Sequence, residues 1–199
     1  MILSILIATL IQRQDLFNKL NAYLTKQIVD NHLEGEVEIL YFEDEGENPV
    51  GLKRNTLIEN AKGDFVCFVD DDDWVPDKYV ISIVENIKKH PDIDCIGFTG
   101  QLVSNSLGNK PFVHSIAYNT YSKDEKAYYR PPNHLNPIRR SIASLFQFPV
   151  INKGEDTDWT MQLAKSGLLT REAFIKDIMY YYNFEYLNSE TQKKRKIFI

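Results

Sequence analysis

The chain has 199 residues, 43% of them hydrophobic and 26% charged, with a formal net charge of −5. That length buries a real core, and that composition excludes a disordered or fibrous chain. The acidic balance argues against non-specific nucleic-acid binding, which draws on surplus Lys and Arg.

The opening "MILSILIATLI" is apolar, and polar "QRQD" follows at once. It has no basic leader and no small-residue cleavage site, and it is too short to span a bilayer. Leu3 to Ala8 is therefore read as a buried first strand of a cytoplasmic protein. From Asp15, the residues Leu16, Leu20, Tyr23, Leu24 and Ile28 recur at helical spacing. "EVEILYF" (36–42) predicts a second strand, and "LKRNTLIENA" (52–61) a short helix ended by Gly63. "FVCFV" (65–69) is apolar throughout, as a central parallel strand covered on both faces should be. Pro76 and Asp77 suit a helix start, with Tyr79, Val80, Ile83, Val84 and Ile87 as its apolar stripe. "DCIGFTG" (94–100) predicts another strand. Residues 101–133, rich in Asn, Ser, Tyr and Pro, read as loop with some strand. "DWTMQLAKSG" (158–167) predicts a helix closed by Gly167, and "IMYYYNF" (178–184) a final strand.

This alternation predicts one α/β domain over 1–199, a mixed but mostly parallel sheet flanked by helices. Cys67 and Cys95 sit in apolar runs and read as buried free thiols. The basic run Lys193, Lys194, Arg195 and Lys196 reads as a solvated end. No apolar helix follows the predicted domain, so a self-anchored polymer synthase is not expected.

The strand at 65–69 runs into four consecutive aspartates, Asp70 to Asp73. At an effective dielectric of ~20, two unit charges ~4 Å apart repel by about 4 kcal/mol, so something must offset the cluster. Ligands of open α/β sheets bind beyond the carboxyl ends of strands, where these residues lie. Alternation on an extended chain puts Asp70 and Asp72 on one face. Hard divalent cations such as Mn²⁺ or Mg²⁺ take one or two such carboxylates plus substrate phosphates. An acidic turn capping the following helix is the plainer alternative, although one aspartate suffices for that.

"GLKRNTLIENAKGDFVCFVDDDDWVPDKYV" (51–80) resembles the family 2-like glycosyltransferases of the GT-A fold. Their pattern of Gly, Arg-Asn, Ala-x-Gly-Asp, an apolar strand, Asp-x-Asp-Asp and a downstream Pro is met by Gly51, Arg54, Asn55, Ala61, Gly63, Asp64, Asp70, Asp72, Asp73 and Pro76. "VEILYFED" resembles the second strand, and "GEDTDWTMQLAKSG" (154–167) the Gly-Glu-Asp segment and its helix. "NHLNPIRRS" (133–141) resembles a stretch found before it in some members, and the whole likeness runs from residue 2 to about 184. Between Thr9 and Leu16 the chain departs from the usual Thr-x-Asn-Arg.

The resemblance implies a nucleotide-sugar donor, most often a UDP-sugar, with Mn²⁺ or Mg²⁺. Residues 1–100 are then the donor-binding half and 101–199 the acceptor-binding half. Asp72, helped by Asp70, holds the metal, and Asp70 and Asp71 face the donor. Asp44 is the candidate for the nucleotide base, with Glu43 as the fallback. Thr9 is a base contact or a turn cap. Arg54 pairs with the nucleotide, with the aspartates, or only at the surface. His134 completes the metal shell, lines the acceptor pocket, or is structural. Asp156 is the candidate base toward the acceptor hydroxyl, with Glu155 and Asp158 as competing carboxylates and helix capping as the alternative. A base opposite the leaving group inverts the anomeric centre. The expected acceptor is a glycan, lipid or protein. Trp74 and Trp159 are candidates for a sugar-pocket floor or for packing. A sugar-nucleotide nucleotidyltransferase is a further reading, disfavoured because "ATLIQRQDL" has no Gly-rich loop. A non-catalytic sugar-nucleotide or glycan-binding module is a third, needing no base.

Overall fold

The computed structural model describes residues 1–104 and 108–183. The basic run at 193–196 and Phe184 lie outside the described residues. The strands are β1 (Leu3–Leu10), β2 (Val37–Asp44), β3 (Phe65–Phe68), β4 (Cys95–Val103), β5 (Lys110–His114), β6 (Ser122–Lys123), β7 (Tyr128–Arg130), β8 (Ile138–Arg139) and β9 (Glu172–Asn183). The helices are α1 (Gln14–Asp30), α2 (Val50–Asn60), α3 (Tyr79–Lys89), α4 (Arg140–Ala143) and α5 (Glu155–Ser166).

One sheet runs in the order β2-β1-β3-β8-β4-β5-β7-β6, with β9 also paired to β4. β1 is parallel to β2 and β3, and β4 is parallel to β9, while β8 joins β3 and β4 antiparallel to both. The sheet is thus mixed and mostly parallel where the apolar runs predict it. Alternation along β3 feeds two cores. Phe65 and Cys67 pack with α1 and α3, whereas Val66 and Phe68 pack with α2 and α5. A strand buried on both faces needs an unbroken apolar run, and "FVCFV" supplies it. Both cysteines are free and buried.

Three elements start three or more residues away from the sequence expectation. α3 begins at Tyr79 rather than at Pro76, because the Pro76 carbonyl closes a turn with the Tyr79 N–H at 3.0 Å. Buried Gln27 of α1 then supplies the cap, donating to Pro76 O at 3.0 Å and accepting from the Val80 N–H at 3.1 Å. α5 begins at Glu155 rather than at Asp158, because Gly154 at φ 84° makes the entry turn. Glu155, Asp156 and Asp158 in the first turn also suit the positive helix end. β9 begins at Glu172 rather than at 178, its alternation hidden by register shifts opposite Phe98–Gly100. The stretch 101–133 contributes the end of β4 and the short strands β5, β6 and β7.

Gly51 opens α2 against the loop that leads to α5. Its N–H donates to Ile151 O at 3.2 Å, and a Cβ there would lie 1.9 Å from Pro149 O. We expect Gly51→Ala to cost roughly 2 kcal/mol or more in urea unfolding, since the clash is with backbone.

Candidate active site

Beyond β3 the chain reverses. The Asp73 N–H donates to Asp70 O at 3.1 Å, closing a turn over the four aspartates. This corrects the expectation that Asp70 and Asp72 share one face of an extended strand, since alternation lapses where the backbone turns. Each carboxylate instead meets its own partners. Asp70 receives Arg54 at 3.1 Å. Asp71 receives the Thr9 hydroxyl at 2.6 Å and Arg13 at 2.6 Å. Arg13 also bridges to Asp72 at 2.7 Å, and the Asp72 side chain keeps 50% of its surface exposed. Asp73 is buried and accepts the Tyr180 hydroxyl and the Asn183 N–H, both at 2.8 Å.

The acid–base balance follows from these surroundings. Burial pushes Asp71 up to about 6, against the pull of Thr9 and Arg13. Burial and the neighbouring Asp70 and Asp72 charges push Asp73 well above the usual carboxylate range. Burial also acts on Asp70, but Arg54 and His134 beside it outweigh that effect and hold it well below. Two arginines and a shift of proton affinity onto Asp73 therefore absorb the repulsion within the chain itself.

Arg54 is buried and reaches in two directions. Beyond Asp70 it donates to Glu155 Oε1 at 2.8 Å, and its guanidinium lies 5.5 Å from the Phe68 ring centroid and 5.6 Å from that of Phe148. The strand tip and the first turn of α5 are thus joined through one side chain. Glu155 is buried, and burial raises its pKa although Arg54 opposes the rise. Asp156, the next residue, is only half-buried, with the Thr157 hydroxyl at 3.5 Å, and Asp158 is exposed. Burial raises the pKa of the Tyr121 hydroxyl, and the Asp156 charge adds to the rise against Thr160, Arg130 and Thr157.

At the ends of β1 and β2, Lys53 of α2 is buried, donates to Thr9 O at 2.8 Å and pairs with Asp44. Asp44 also accepts the Gly46 N–H, the Asn48 N–H and the Asn48 amide, each at 3.0 Å. Glu43 falls on the opposite strand face, with Tyr41, which packs on Phe17 of α1, and its Oε1 is buried without a hydrogen-bond partner. Burial acts to raise the Asp44 pKa, but Lys53 and the Asn48 and Gly46 donors bring it down to about 2. A carboxylate lowered from about 3.9 stabilises the fold above about pH 4 and loses that contribution as pH falls through the folded value. We expect Asp44→Asn to lose roughly 1–2 kcal/mol at pH 7, allowing for solvent screening, and the gap to close near pH 2. Urea unfolding of both proteins at the two pH values measures it.

His134 is buried, and its Nε2 stands 3.6 Å from Asp70 Oδ2, too long for a hydrogen bond. Neither ring nitrogen has a hydrogen-bond partner. Among the described residues no group of three or more His, Cys, Asp or Glu side chains is arranged to hold a metal by itself. The donor set still fits a hard cation that draws further oxygens from a phosphate ligand. Asp72 is open to solvent, and the unpartnered His134 stands beside Asp70.

Trp159 is buried and stacks on Phe148 with centroids 4.8 Å apart, so it packs the core. Trp74 is 41% exposed and stacks on Tyr23 at 4.4 Å. The turn also borders a cavity of about 400 Å³ on the α1 side, walled by Leu16, Leu20, Trp74 and Tyr181. Thr9, Asp44 and Arg54 do not line it.

Sequence reasoning missed three contributors. Arg13 was legible as an arginine one place beyond the family's Thr-x-Asn-Arg spacing. In sequence Tyr180 to Tyr182 read as core and pocket wall, yet the Tyr180 hydroxyl accepts the Asp70 N–H at 3.1 Å and donates to Asp73. Lys53, adjacent to Arg54, gave no signal, because buried lysines are rare.

The pattern of glycosyl transferase family 2 matches residues 23–154. No match was found among curated proteins. Among solved structures, TarS 1–349 of S. aureus in complex with UDP-GlcNAc is similar, with a TM-score of 0.61 and 18% identity over 92% of this chain and 59% of that one. The same protein in complex with UDP gives a TM-score of 0.61 and 16% identity over 94% and 61%. The longer TarS gives a TM-score of 0.57 and 16% identity over 92% and 37%. The chain thus spans about three-fifths of TarS 1–349. At such identities the likeness establishes the fold, that of the GT-A glycosyltransferases. Across about two-thirds of its length in sequence and nearly all of it in fold, the chain answers to one description: it belongs to glycosyl transferase family 2.

Proposed function

We propose that the chain transfers a sugar from a nucleotide-sugar, a UDP-sugar first among them, to an acceptor hydroxyl, with inversion and in the presence of Mn²⁺ or Mg²⁺. One observation carries the reading. Arg54 ties Asp70, at the strand tip, to Glu155, beside Asp156. A donor-side acid cluster and an acceptor-side carboxylate are thereby held next to each other, as displacement at a sugar carbon requires. Family membership and the UDP-GlcNAc and UDP complexes of TarS support the donor class.

In this reading Asp72 and Asp70 hold the cation. When bound, it acts as a Lewis acid toward the departing diphosphate. Thr9 and Asp44 flank the nucleotide, with Lys53 fixing Asp44. Asp156 accepts the proton of the attacking hydroxyl. Glu155, committed to Arg54, orients the helix turn rather than reacting. Residues 1–100 serve the donor and 101–199 the acceptor, within one cytoplasmic domain. Among the described residues, no helix is long and apolar enough to cross a membrane.

Thermal shift with UDP and Mn²⁺, and UDP-sugar hydrolysis with and without EDTA, test the proposal. The expected result is stabilisation by UDP and turnover abolished by EDTA. Tight metal-dependent binding with no turnover of any UDP-sugar would mark a binding module instead.

A further inference from the structure

His134 is only 5% exposed, yet neither ring nitrogen has a hydrogen-bond partner among the described residues. Buried polar groups are nearly always paired, so an unpaired one calls for a catalytic role or for a water or ion that it receives. The residue is fixed between two strands. The Phe68 N–H of β3 donates to His134 O at 2.8 Å. On either side, the Asn133 N–H donates to Asn136 Oδ1 at 2.9 Å and the Leu135 N–H to Asn133 Oδ1 at 3.0 Å. Asn136 Nδ2 donates in turn to Ile96 O of β4 at 2.9 Å. Pro131, Pro132 and Pro137 stiffen the flanks.

So held, the ring faces one atom. Its Nε2 stands 3.6 Å from Asp70 Oδ2. Arg54 takes the other oxygen, Oδ1, at 3.1 Å, and among the described residues no hydrogen bond reaches Oδ2. The Asp70 side chain is 29% exposed, so the carboxylate can still take a ligand from solvent. Two donors of one cation, each about 2.0–2.2 Å from it, stand roughly 3–3.6 Å apart. The Nε2–Oδ2 separation falls in that range and outside that of a hydrogen bond. Nothing binds Nδ1, so the imidazole proton can sit there and leave the Nε2 lone pair toward Asp70.

We propose that His134 Nε2 is a ligand of the cation carried by Asp70 and Asp72, so that the site is a mixed nitrogen–oxygen one and selects its metal. The proposal rests on the metal-dependent transferase reading. Imidazole suits transition metals, whereas Mg²⁺ and Ca²⁺ favour oxygen donors alone. For a given nitrogen–oxygen site, first-row affinity also rises from Mn²⁺ to Co²⁺. The expected order of affinity is Co²⁺, then Mn²⁺, then Mg²⁺ and Ca²⁺.

Electron spin echo spectra of Mn²⁺ bound in the presence of UDP test this on the whole chain. The expected result is ¹⁴N modulation from a directly bound imidazole, replaced by a ¹⁵N pattern when histidine alone is ¹⁵N-labelled. In His134→Gln the coupling should vanish, with His32, His90 and His114 still present. Mn²⁺ affinity should fall about tenfold or more, since changes behind a ligand already cost about 10–100-fold. The labelled wild-type spectrum reads the ligand even where the variant fails to fold.

Bound Mn²⁺ without nitrogen coupling would overturn the proposal and leave the transferase reading standing. Coupling that ignores the histidine label, or persists in His134→Gln, would do the same, as would equal competition by Mg²⁺ and Mn²⁺ in the wild type. UDP binding with no bound Mn²⁺ would overturn metal dependence and the proposal with it. Histidine coupling beside no turnover of any UDP-sugar would undo the transferase reading alone.

Discussion

Asp156→Asn is expected to lower sugar transfer by roughly 10²–10⁴-fold, the usual contribution of a general base, while UDP affinity stays within about twofold. The substitution is isosteric and half-exposed, so the fold should hold. Its neighbour makes the contrast. Glu155 is buried and hydrogen-bonded to Arg54 at 2.8 Å, which leaves it poorly placed to reach an acceptor. Glu155→Gln should instead act on stability, because Arg54 would lose a charged partner while its Nε already lacks a hydrogen bond. Initial rates with a UDP-sugar, beside urea unfolding of both variants, separate the roles. Normal transfer by Asp156→Asn would move the base elsewhere on the first turn of α5.

Asp72→Ala is expected to abolish the metal-dependent part of donor binding, seen as loss of the thermal shift given by UDP with Mn²⁺, and to reduce donor turnover by at least about 10²-fold. Of the four aspartates, Asp72 has a half-open side chain and, among the described residues, only the partly exposed Arg13 as ion-pair partner. The other three are held by Arg54, Thr9 or Tyr180. Removing Asp72 should not destabilise the fold, since it relieves like-charge repulsion on Asp73 and breaks only an exposed ion pair. Unchanged UDP binding with Mn²⁺ in this variant would remove Asp72 from the metal site.

The layered fold was readable because its signals are local. "FVCFV" declares burial on two faces, and the stripe Tyr79 to Ile87 declares a helix packed on one of them. What escaped depends on residues far apart in the chain. The start of α3 is set by Gln27, more than fifty residues upstream of Val80, so no local pattern could place it. The same holds for the site. Asp70, Asp72 and Asp156 announced themselves through the spacing of family motifs, but the extended-strand geometry assumed for the aspartates gave way to a turn. Arg54 was open between nucleotide and carboxylate partners on sequence alone. In the fold it meets Asp70 and Glu155, the latter 101 residues away. Tyr180 was invisible as a site residue because its partners Asp70 and Asp73 reach it only after folding, and Arg13 was passed over because it stands one place off the family spacing.

Arg54 also has a mechanical consequence. Prising the first turn of α5 away from the tip of β3 would strand buried charges, at about 3–5 kcal/mol. Such an opened form would be populated at roughly one molecule in a hundred or fewer. In the proposed transferase, the interval between the aspartate turn and Asp156 would therefore behave as a fixed gauge, set before any substrate arrives. Acceptors would be sorted by whether their hydroxyl spans that interval, not by how far the protein bends to meet them.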